Sequence, residues 1–183
     1  MSIHFSKEEF ANRKSKIVNE LKKQGLDALL MFRQESMYWL TGYDTFGFVF
    51  FQCLILTNKG DLILLTRAPD LRQAQNTSII NDIRIWVDKD KSNPADELKN
   101  ILSELGLNNS NLGVEYEAYG LTGRNTLKLN KSSETFFLLI LLFNFFDRRL
   151  SGKAIENAII SPNVMVKPLI VKRTKSLQEF RFR

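Results

Sequence analysis

The sequence predicts an α/β fold in which a mixed β-sheet of about five to six strands is covered by helices on both faces. Three observations support this prediction. Helical and strand-like patterns alternate along the chain, as is typical of a sheet flanked by helices. The run Leu26–Phe32 is almost entirely apolar, which indicates a strand buried on both faces. The polar connector Thr57–Asp61 has hairpin length, so at least one pair of strands should be antiparallel.

The first two helices are predicted from their capping residues. Ser6 and Glu9 have the spacing of a capping box, and Gly25 supplies a left-handed residue that ends the first helix. Between them, apolar residues recur on one helical face at Phe10, Ile17 and Leu21. A second, short helix is expected at about Gln34–Leu40, where Gly42 closes it.

The middle of the chain also alternates between strands and helices. Phe48–Leu56 and Leu62–Thr66 lie on either side of the hairpin connector, and we interpret them as an antiparallel pair. Asn93 can cap a helix that has Pro94 at its first position. The remaining predicted elements are a helix at Pro69–Gln75, a strand at Ile83–Val87, the helix from Pro94 to Gly106 and a strand at Leu112–Tyr116.

The composition is that of an ordinary globular protein. The chain has 183 residues, 44% hydrophobic and 25% charged, so we expect one domain. Its most apolar run, Phe136–Phe146, is shorter than the roughly 20 residues that a membrane-spanning helix needs. We expect no membrane association, and the charged amino terminus is unlike a signal peptide. With the single cysteine Cys53, these features predict a cytoplasmic protein.

The formal net charge of +6 raises the question of nucleic-acid binding. Six basic residues and one acidic residue lie between Val164 and Arg183, so this tail supplies +5 of the total. Nucleic-acid-binding proteins usually carry such charge on a folded face, whereas this tail can equally be a solvated linker. We therefore do not expect nucleic-acid binding as the main function, and keep binding through the basic tail as an alternative.

Residues with the chemistry of hydrolysis are scarce in this chain. The only histidine is His4, ahead of the first helix, and a nucleophilic triad needs a histidine beside a serine or cysteine. A zinc site built from histidine and cysteine lacks ligands for the same reason. Glu115 and Glu117 should share one face of a strand, where two carboxylates can bind a cation. We interpret them instead as part of a solvated edge.

A known family is suggested by four segments in order, Tyr38–Asp44, Arg67–Ala74, Leu112–Glu115 and Lys172–Glu179. The first contains WLTGY, which is similar to a turn of the type YLTG followed by an aromatic residue. Together the segments resemble the N-terminal domain of the creatinase, prolidase and Xaa-Pro aminopeptidase family. The resemblance extends from about Phe5 to Leu129 and implies a sheet with a ribonuclease H-like motif.

The resemblance also implies a division of the chain. Family members continue through a modest strand into a catalytic domain, and this chain departs from that pattern between residues 131 and 166. We therefore assign residues 1–166 to the N-terminal-like domain, with 131–166 atypical. Residues 167–183 are assigned to a basic tail or linker toward an absent catalytic domain.

The absent catalytic domain would hold the metals of the family. There, a pita-bread fold binds two divalent metals, such as Mn or Zn, through two aspartates, a histidine and two glutamates. A metal pair of this kind activates a bridging water for hydrolysis. None of those ligands can be assigned here, so we predict no catalytic residues, no metal site and no cofactor in this chain.

The family further implies a homodimer in which loops of this domain reach the catalytic cleft of the neighbouring subunit. Tyr43 and Asp44 end the WLTGY turn, and Arg67, Asp70 and Arg72 follow the predicted hairpin. A surface ion pair is the simpler interpretation of the last three. On the strength of the resemblance, all five residues are candidates for the rim of a substrate entrance in the intact oligomer.

These expectations give a leading hypothesis and two alternatives. In the leading hypothesis the chain is a non-catalytic N-terminal domain of a metal-dependent Xaa-Pro peptidase-like hydrolase. It would act in oligomerisation and in shaping access to the active site. The first alternative is a free-standing interaction or small-ligand-binding module without hydrolase activity. The second is a nucleic-acid binder that acts through the basic tail.

Overall fold

The computed structural model describes residues 4–90, 92–131 and 136–138. Within these residues the chain forms five α-helices and six β-strands. The helices are α1 (Lys7–Lys23), α2 (Gln34–Thr41), α3 (Leu71–Thr77), α4 (Pro94–Glu104) and α5 (Gly123–Lys131). The strands are β1 (Ala28–Met31), β2 (Cys53–Thr57), β3 (Leu62–Arg67), β4 (Asp82–Trp86), β5 (Leu112–Val114) and β6 (Phe136–Leu138).

The helix boundaries follow local capping chemistry. Helix α1 begins where the Ser6 hydroxyl accepts a hydrogen bond from the backbone N–H of Glu9 at 3.2 Å. The chain turns after this helix at Gly25, whose φ of 66° is left-handed. Helix α4 begins where the Asn93 side chain accepts from the Ala95 N–H at 3.3 Å. These starts confirm the predictions made from the capping residues.

The six strands form one mixed sheet in the order β4-β3-β2-β1-β5-β6. Strand β2 is antiparallel to both β1 and β3, and the β2–β3 pair is the predicted hairpin. The pairs β3–β4, β1–β5 and β5–β6 are parallel. This topology confirms the mixed sheet expected from the sequence.

Each face of the sheet is covered by helices. On one face, Leu29 and Leu64 pack with residues of α1, α2 and α3, such as Leu21 and Leu40. On the other face, Leu30 and its neighbours pack with buried side chains of α4 and α5. These are Leu98, Ile101, Leu102 and Leu129. Strand β1 is buried along its whole length, which explains its continuous apolar sequence.

The main departure from prediction lies before β2. The strand predicted at Phe48–Leu56 begins only at Cys53, so the prediction is wrong for its first five residues. Gly47–Val49 forms a short 3₁₀ helix instead. A side chain at Gly47 would place its Cβ 2.5 Å from a carboxylate oxygen of Asp70, so this backbone is held by a contact distant in sequence.

Several predictions concern residues that the structure does not describe. The apolar run predicted at Phe136–Phe146 is described only at Phe136–Leu138, where it forms β6. Most of the atypical region at 131–166 and the whole basic tail at 167–183 lie outside the described residues. The division into domain and tail therefore stays a prediction.

One edge of the sheet brings together the loops that concern function. Strands β1 and β5 end there, β3 and β4 end there, and β2 begins there because it runs antiparallel to β1 and β3. We call this the carboxyl edge. Its loops comprise residues 32–33, 44–52, 67–70 and 115–122.

Candidate functional site

At the centre of the carboxyl edge, Glu115 follows β5 and is buried, with 4% of its surface exposed. One carboxylate oxygen accepts the backbone N–H groups of Phe32 and Arg33 at 3.1 and 3.0 Å. The other accepts the Ser36 hydroxyl at 2.5 Å. The carboxylate therefore ties the end of β5 to the loop that precedes α2 and to Ser36 in the first turn of that helix.

Burial raises the pKa of Glu115 above that of an ordinary carboxyl group, although the hydrogen bonds from Ser36, Arg33 and Phe32 oppose the shift. The expectation of a solvated edge is thus wrong for Glu115. Its partners lie about 80 positions away in the sequence, so no local pattern identifies them. Glu117 is exposed, as a solvated edge requires.

Beside Glu115, residues 46–50 (Phe-Gly-Phe-Val-Phe) present apolar side chains to solvent, and we call them the aromatic segment. Phe46 is 86% exposed, and Phe48, Val49 and Phe50 are each more than a third exposed. Monomeric proteins rarely expose a contiguous apolar patch of this kind without an interaction function. The apolar pattern of residues 48–50 predicted a strand, so it did not indicate the exposure of this segment.

The backbone around the aromatic segment is held by three contacts with other loops. The Gly47 backbone packs on the carboxylate of Asp70. A Cβ at Gly120 would lie 2.1 Å from the carbonyl oxygen of Phe50, so the two backbones are in direct contact. The indole N–H of Trp86 donates to the carbonyl of Phe51 at 2.9 Å. The exposed side chains therefore belong to a backbone that three contacts with other loops hold in place.

Two of the predicted rim residues, Arg67 and Asp70, lie at the carboxyl edge beside the aromatic segment. Arg67 Nε is 3.7 Å from Asp70 Oδ2, and Arg67 Nη1 is 4.0 Å from Asp88 Oδ2. The Arg67 guanidinium also lies over the Phe50 ring, 3.5 Å from its centroid. Because Asp70 is buried, the simple interpretation of a surface ion pair is wrong for this pair.

The other three predicted rim residues are dispersed. Tyr43 is fully buried, and its hydroxyl lies 3.1 Å from Thr66 Oγ1. Asp44 is exposed, and its backbone N–H donates to Thr77 Oγ1 at 3.2 Å. Arg72 is exposed on α3 and forms no ion pair with the other described residues. The role of the five residues at a substrate entrance stays a prediction.

Next to the aromatic segment, an open groove of about 580 Å³ crosses the carboxyl edge. It is lined by residues 32–35 after β1, by Phe48 and by residues 117–119 after β5. The rings of Phe48 and Tyr119 meet edge to face with centroids 5.8 Å apart. In open α/β sheets, ligands bind in crevices beyond the carboxyl ends of the strands, and this groove has that position.

The residues that the structure describes do not fit the metal pair implied by the family resemblance. Among residues 4–90, 92–131 and 136–138 there is no group of three or more His, Cys, Asp or Glu side chains placed to hold a metal ion. No step of metal chemistry is therefore assigned to them. None of the helices in this part of the chain is long and apolar enough to cross a bilayer.

Comparison with protein families agrees with the fold. The family described as "Creatinase/Prolidase N-terminal domain" matches residues 13–136, which is more than half of the chain. The chain belongs to this family. The membership confirms the resemblance seen in the sequence, and the match covers α1 through the start of β6 except the first turns of α1.

Curated relatives of this creatinase/prolidase-type domain are longer proteins. Ectoine hydrolase of Halomonas elongata is 30% identical over 126 residues, which are 65% of this chain and 32% of the relative. An uncharacterised hydrolase/peptidase of Sinorhizobium fredii is 27% identical over 137 residues, or 71% of this chain and 35% of the relative. The chain thus spans about a third of the length of the curated relatives it matches.

Solved structures show the same fold. A proline dipeptidase from Streptococcus pneumoniae superposes with a TM-score of 0.58 at 21% identity, covering 69% of this chain and 90% of that one. A dipeptidase from Pyrococcus horikoshii gives 0.57 at 23% identity, covering 69% of this chain and 33% of that one. At these identities the likeness concerns the fold alone. It confirms the predicted α/β class with a mixed, helix-covered sheet.

Proposed function

We propose that this chain serves as the non-catalytic N-terminal domain of an Xaa-Pro peptidase-like hydrolase. In this proposal its carboxyl edge packs against another subunit or domain and shapes access to the active site. The observation that carries the proposal is the aromatic segment, whose backbone is anchored at Gly47, Phe50 and Phe51 while its side chains face solvent. Anchored, exposed aromatic side chains are the usual centres of protein interfaces.

The energetic argument favours an interface at this edge. Burying a phenylalanine side chain contributes about 1.5–3 kcal/mol, and Phe46 alone exposes most of its surface. Beside it, the Arg67 guanidinium lies over the Phe50 ring, and the exposed carboxylate of Asp44 is two positions away in the sequence, so polar groups adjoin the apolar side chains. An apolar centre with a polar rim is the normal composition of a protein interface.

Self-association tests the oligomeric part of the proposal. We expect the 183-residue chain to dimerise in sedimentation velocity runs at increasing concentration. Phe46→Ser should raise the dimer dissociation constant at least about tenfold, because each phenylalanine contributes about 1.5–3 kcal/mol when buried. Leu127→Ser is the matched control, since Leu127 is also an exposed apolar side chain but lies on α5. A monomer at every concentration, or equal effects of both variants, would contradict an interface at the aromatic segment.

Turnover in a full-length family member tests the role in access. Alanine at the counterparts of Asp44, Arg67 and Arg72 should lower kcat/KM mainly by raising KM, because these residues would contact substrate outside the metal centre. Unchanged KM and kcat in all three variants would remove the rim role.

The DNA sequence of the gene distinguishes the proposed N-terminal domain from a free-standing module. An open reading frame beyond codon 183 that encodes two aspartates, a histidine and two glutamates at catalytic-domain spacings would support the proposal. A stop codon directly after Arg183 would favour the alternative of an independent interaction or ligand-binding module.

A further inference from the structure

The groove at the carboxyl edge has an imbalance of charge. Arg33 is the one basic side chain in its described lining, and its Nε lies 3.8 Å from a carboxylate oxygen of Glu35. The same guanidinium also acts electrostatically on the buried carboxylate of Glu115. Glu117, which also lines the groove, forms no ion pair with another described residue. Among the described residues that line the groove, the carboxylates of Glu35 and Glu117 therefore outnumber the single arginine.

Aromatic rings line the same groove as Glu117. Tyr119 is 80% exposed although it contacts Phe48 edge to face, so most of its ring surface remains open to the groove and to solvent. Aromatic faces attract cations, by about 0.5–1 kcal/mol at exposed sites. A carboxylate and exposed aromatic rings in one groove both attract a cation.

We propose that the groove between residues 32–35 and 117–119 binds a small organic cation, with Glu117 as its charge partner and Phe48 and Tyr119 as its apolar walls. The chemical class is an alkylammonium or guanidinium group on a small molecule. A volume of about 580 Å³ accommodates such a ligand and leaves room for water. An anion is disfavoured because the described lining of the groove contains the carboxylates of Glu35 and Glu117 and one arginine, Arg33.

This inference goes beyond the proposed function and does not depend on it, because binding is measured on the isolated full chain. The probes are choline and its neutral carbon isostere, dimethylbutanol, in which a quaternary carbon replaces the ammonium nitrogen. The two have the same shape and differ in charge. Titrations are followed by the amide resonances of residues 32–35 and 117–119 in NMR correlation spectra.

We expect choline to shift these amides saturably, with a dissociation constant in the millimolar range, and dimethylbutanol to bind at least about threefold more weakly. Glu117→Gln and Tyr119→Ala should each weaken choline binding by about two- to fivefold, as expected for exposed ion pairs and cation–π contacts. Glu97→Gln makes the same charge change at an exposed position on α4 and should leave binding unchanged.

Three results would overturn the assignment. The first is equal affinity for choline and dimethylbutanol, which would make the groove a general apolar site. The second is the absence of shifts at the groove amides while choline is raised to saturating excess. The third is an equal loss of affinity in Glu97→Gln and Glu117→Gln, which would indicate a diffuse effect of net charge. The comparison of the two probes needs no variant, so it stands even where a substitution disturbs folding.

Discussion

Replacing Glu115 with alanine is expected to lower the free energy of unfolding by about 3 kcal/mol. Its carboxylate accepts two backbone N–H groups, from Phe32 and Arg33, and the hydroxyl of Ser36. Alanine would leave both N–H groups without an acceptor, at a cost of about 1–3 kcal/mol each. The Ser36 hydroxyl can rotate to another acceptor, and removing a buried carboxylate recovers part of its desolvation cost, so the expected loss lies in the lower half of that sum.

The isosteric variant Glu115→Gln should behave differently. Its amide oxygen can accept both backbone N–H groups, while its NH₂ group can donate to the Ser36 oxygen. We therefore expect it to stay within about 1 kcal/mol of the wild type. The contrast between the alanine and glutamine variants isolates the loss of acceptors from the loss of charge.

The pH dependence of stability in the wild type and in Glu115→Gln follows from the direction of the Glu115 pKa shift. Burial raises the pKa of Glu115 in the folded state, so the folded chain keeps the proton to a higher pH than the unfolded chain does. The wild type must therefore lose stability through this group as pH rises from the ordinary carboxyl pKa to the raised one. Glutamine does not titrate. The unfolding free energy of Glu115→Gln should therefore increase relative to that of the wild type as pH rises across that interval.

Urea unfolding followed by the fluorescence of Trp39 and Trp86 measures these differences. Glu117→Ala is the control, because it removes an exposed carboxylate two positions away and should change stability by less than about 0.5 kcal/mol. The reasoning fails if Glu115→Ala costs less than about 1 kcal/mol, or if Glu115→Gln loses as much as the alanine variant.

Three further substitutions test how the edge and the first helix are held. Gly120→Ala should cost about 3 kcal/mol, because its Cβ would lie 2.1 Å from the Phe50 carbonyl oxygen and neither backbone can easily move. Gly47→Ala should cost about 2 kcal/mol in urea unfolding, and the additional change Asp70→Ala should recover part of the loss by removing the clash at 2.5 Å. Ser6→Ala should cost about 1 kcal/mol through loss of the cap on α1, a change that helical circular dichroism during thermal unfolding can follow.

The fold could be predicted from the sequence wherever the deciding signal is local. The start of α1 depends on Ser6 and Glu9, which are three positions apart, and the burial of β1 depends on its own apolar residues. The hairpin between β2 and β3 is likewise decided by a short connector. Such elements need no knowledge of the rest of the chain.

The candidate site could not be predicted in the same way, because distant residues decide it. The apolar residues 48–51 have the composition of a strand, yet Gly47 contacts Asp70 and Phe50 contacts Gly120, and the chain forms a 3₁₀ helix at Gly47–Val49 instead. Arg67 and Asp70 were correctly singled out as a pair, but their burial depends on the aromatic segment above them. Periodicity within one segment contains no information about such contacts.

Two of the four segments that indicated the family contact the same helix. The turn WLTGY ends α2 at Gly42, which has a φ of 80°, and the segment Leu112–Glu115 supplies the carboxylate that accepts the N–H groups at the other end of α2. Two motifs about 70 positions apart thus fix the two ends of one helix, which borders the groove. These contacts position α2, and they contain no information about the chemistry of the groove. That chemistry depends on Glu117, Phe48 and Tyr119, which lie outside both motifs and can vary without disturbing α2.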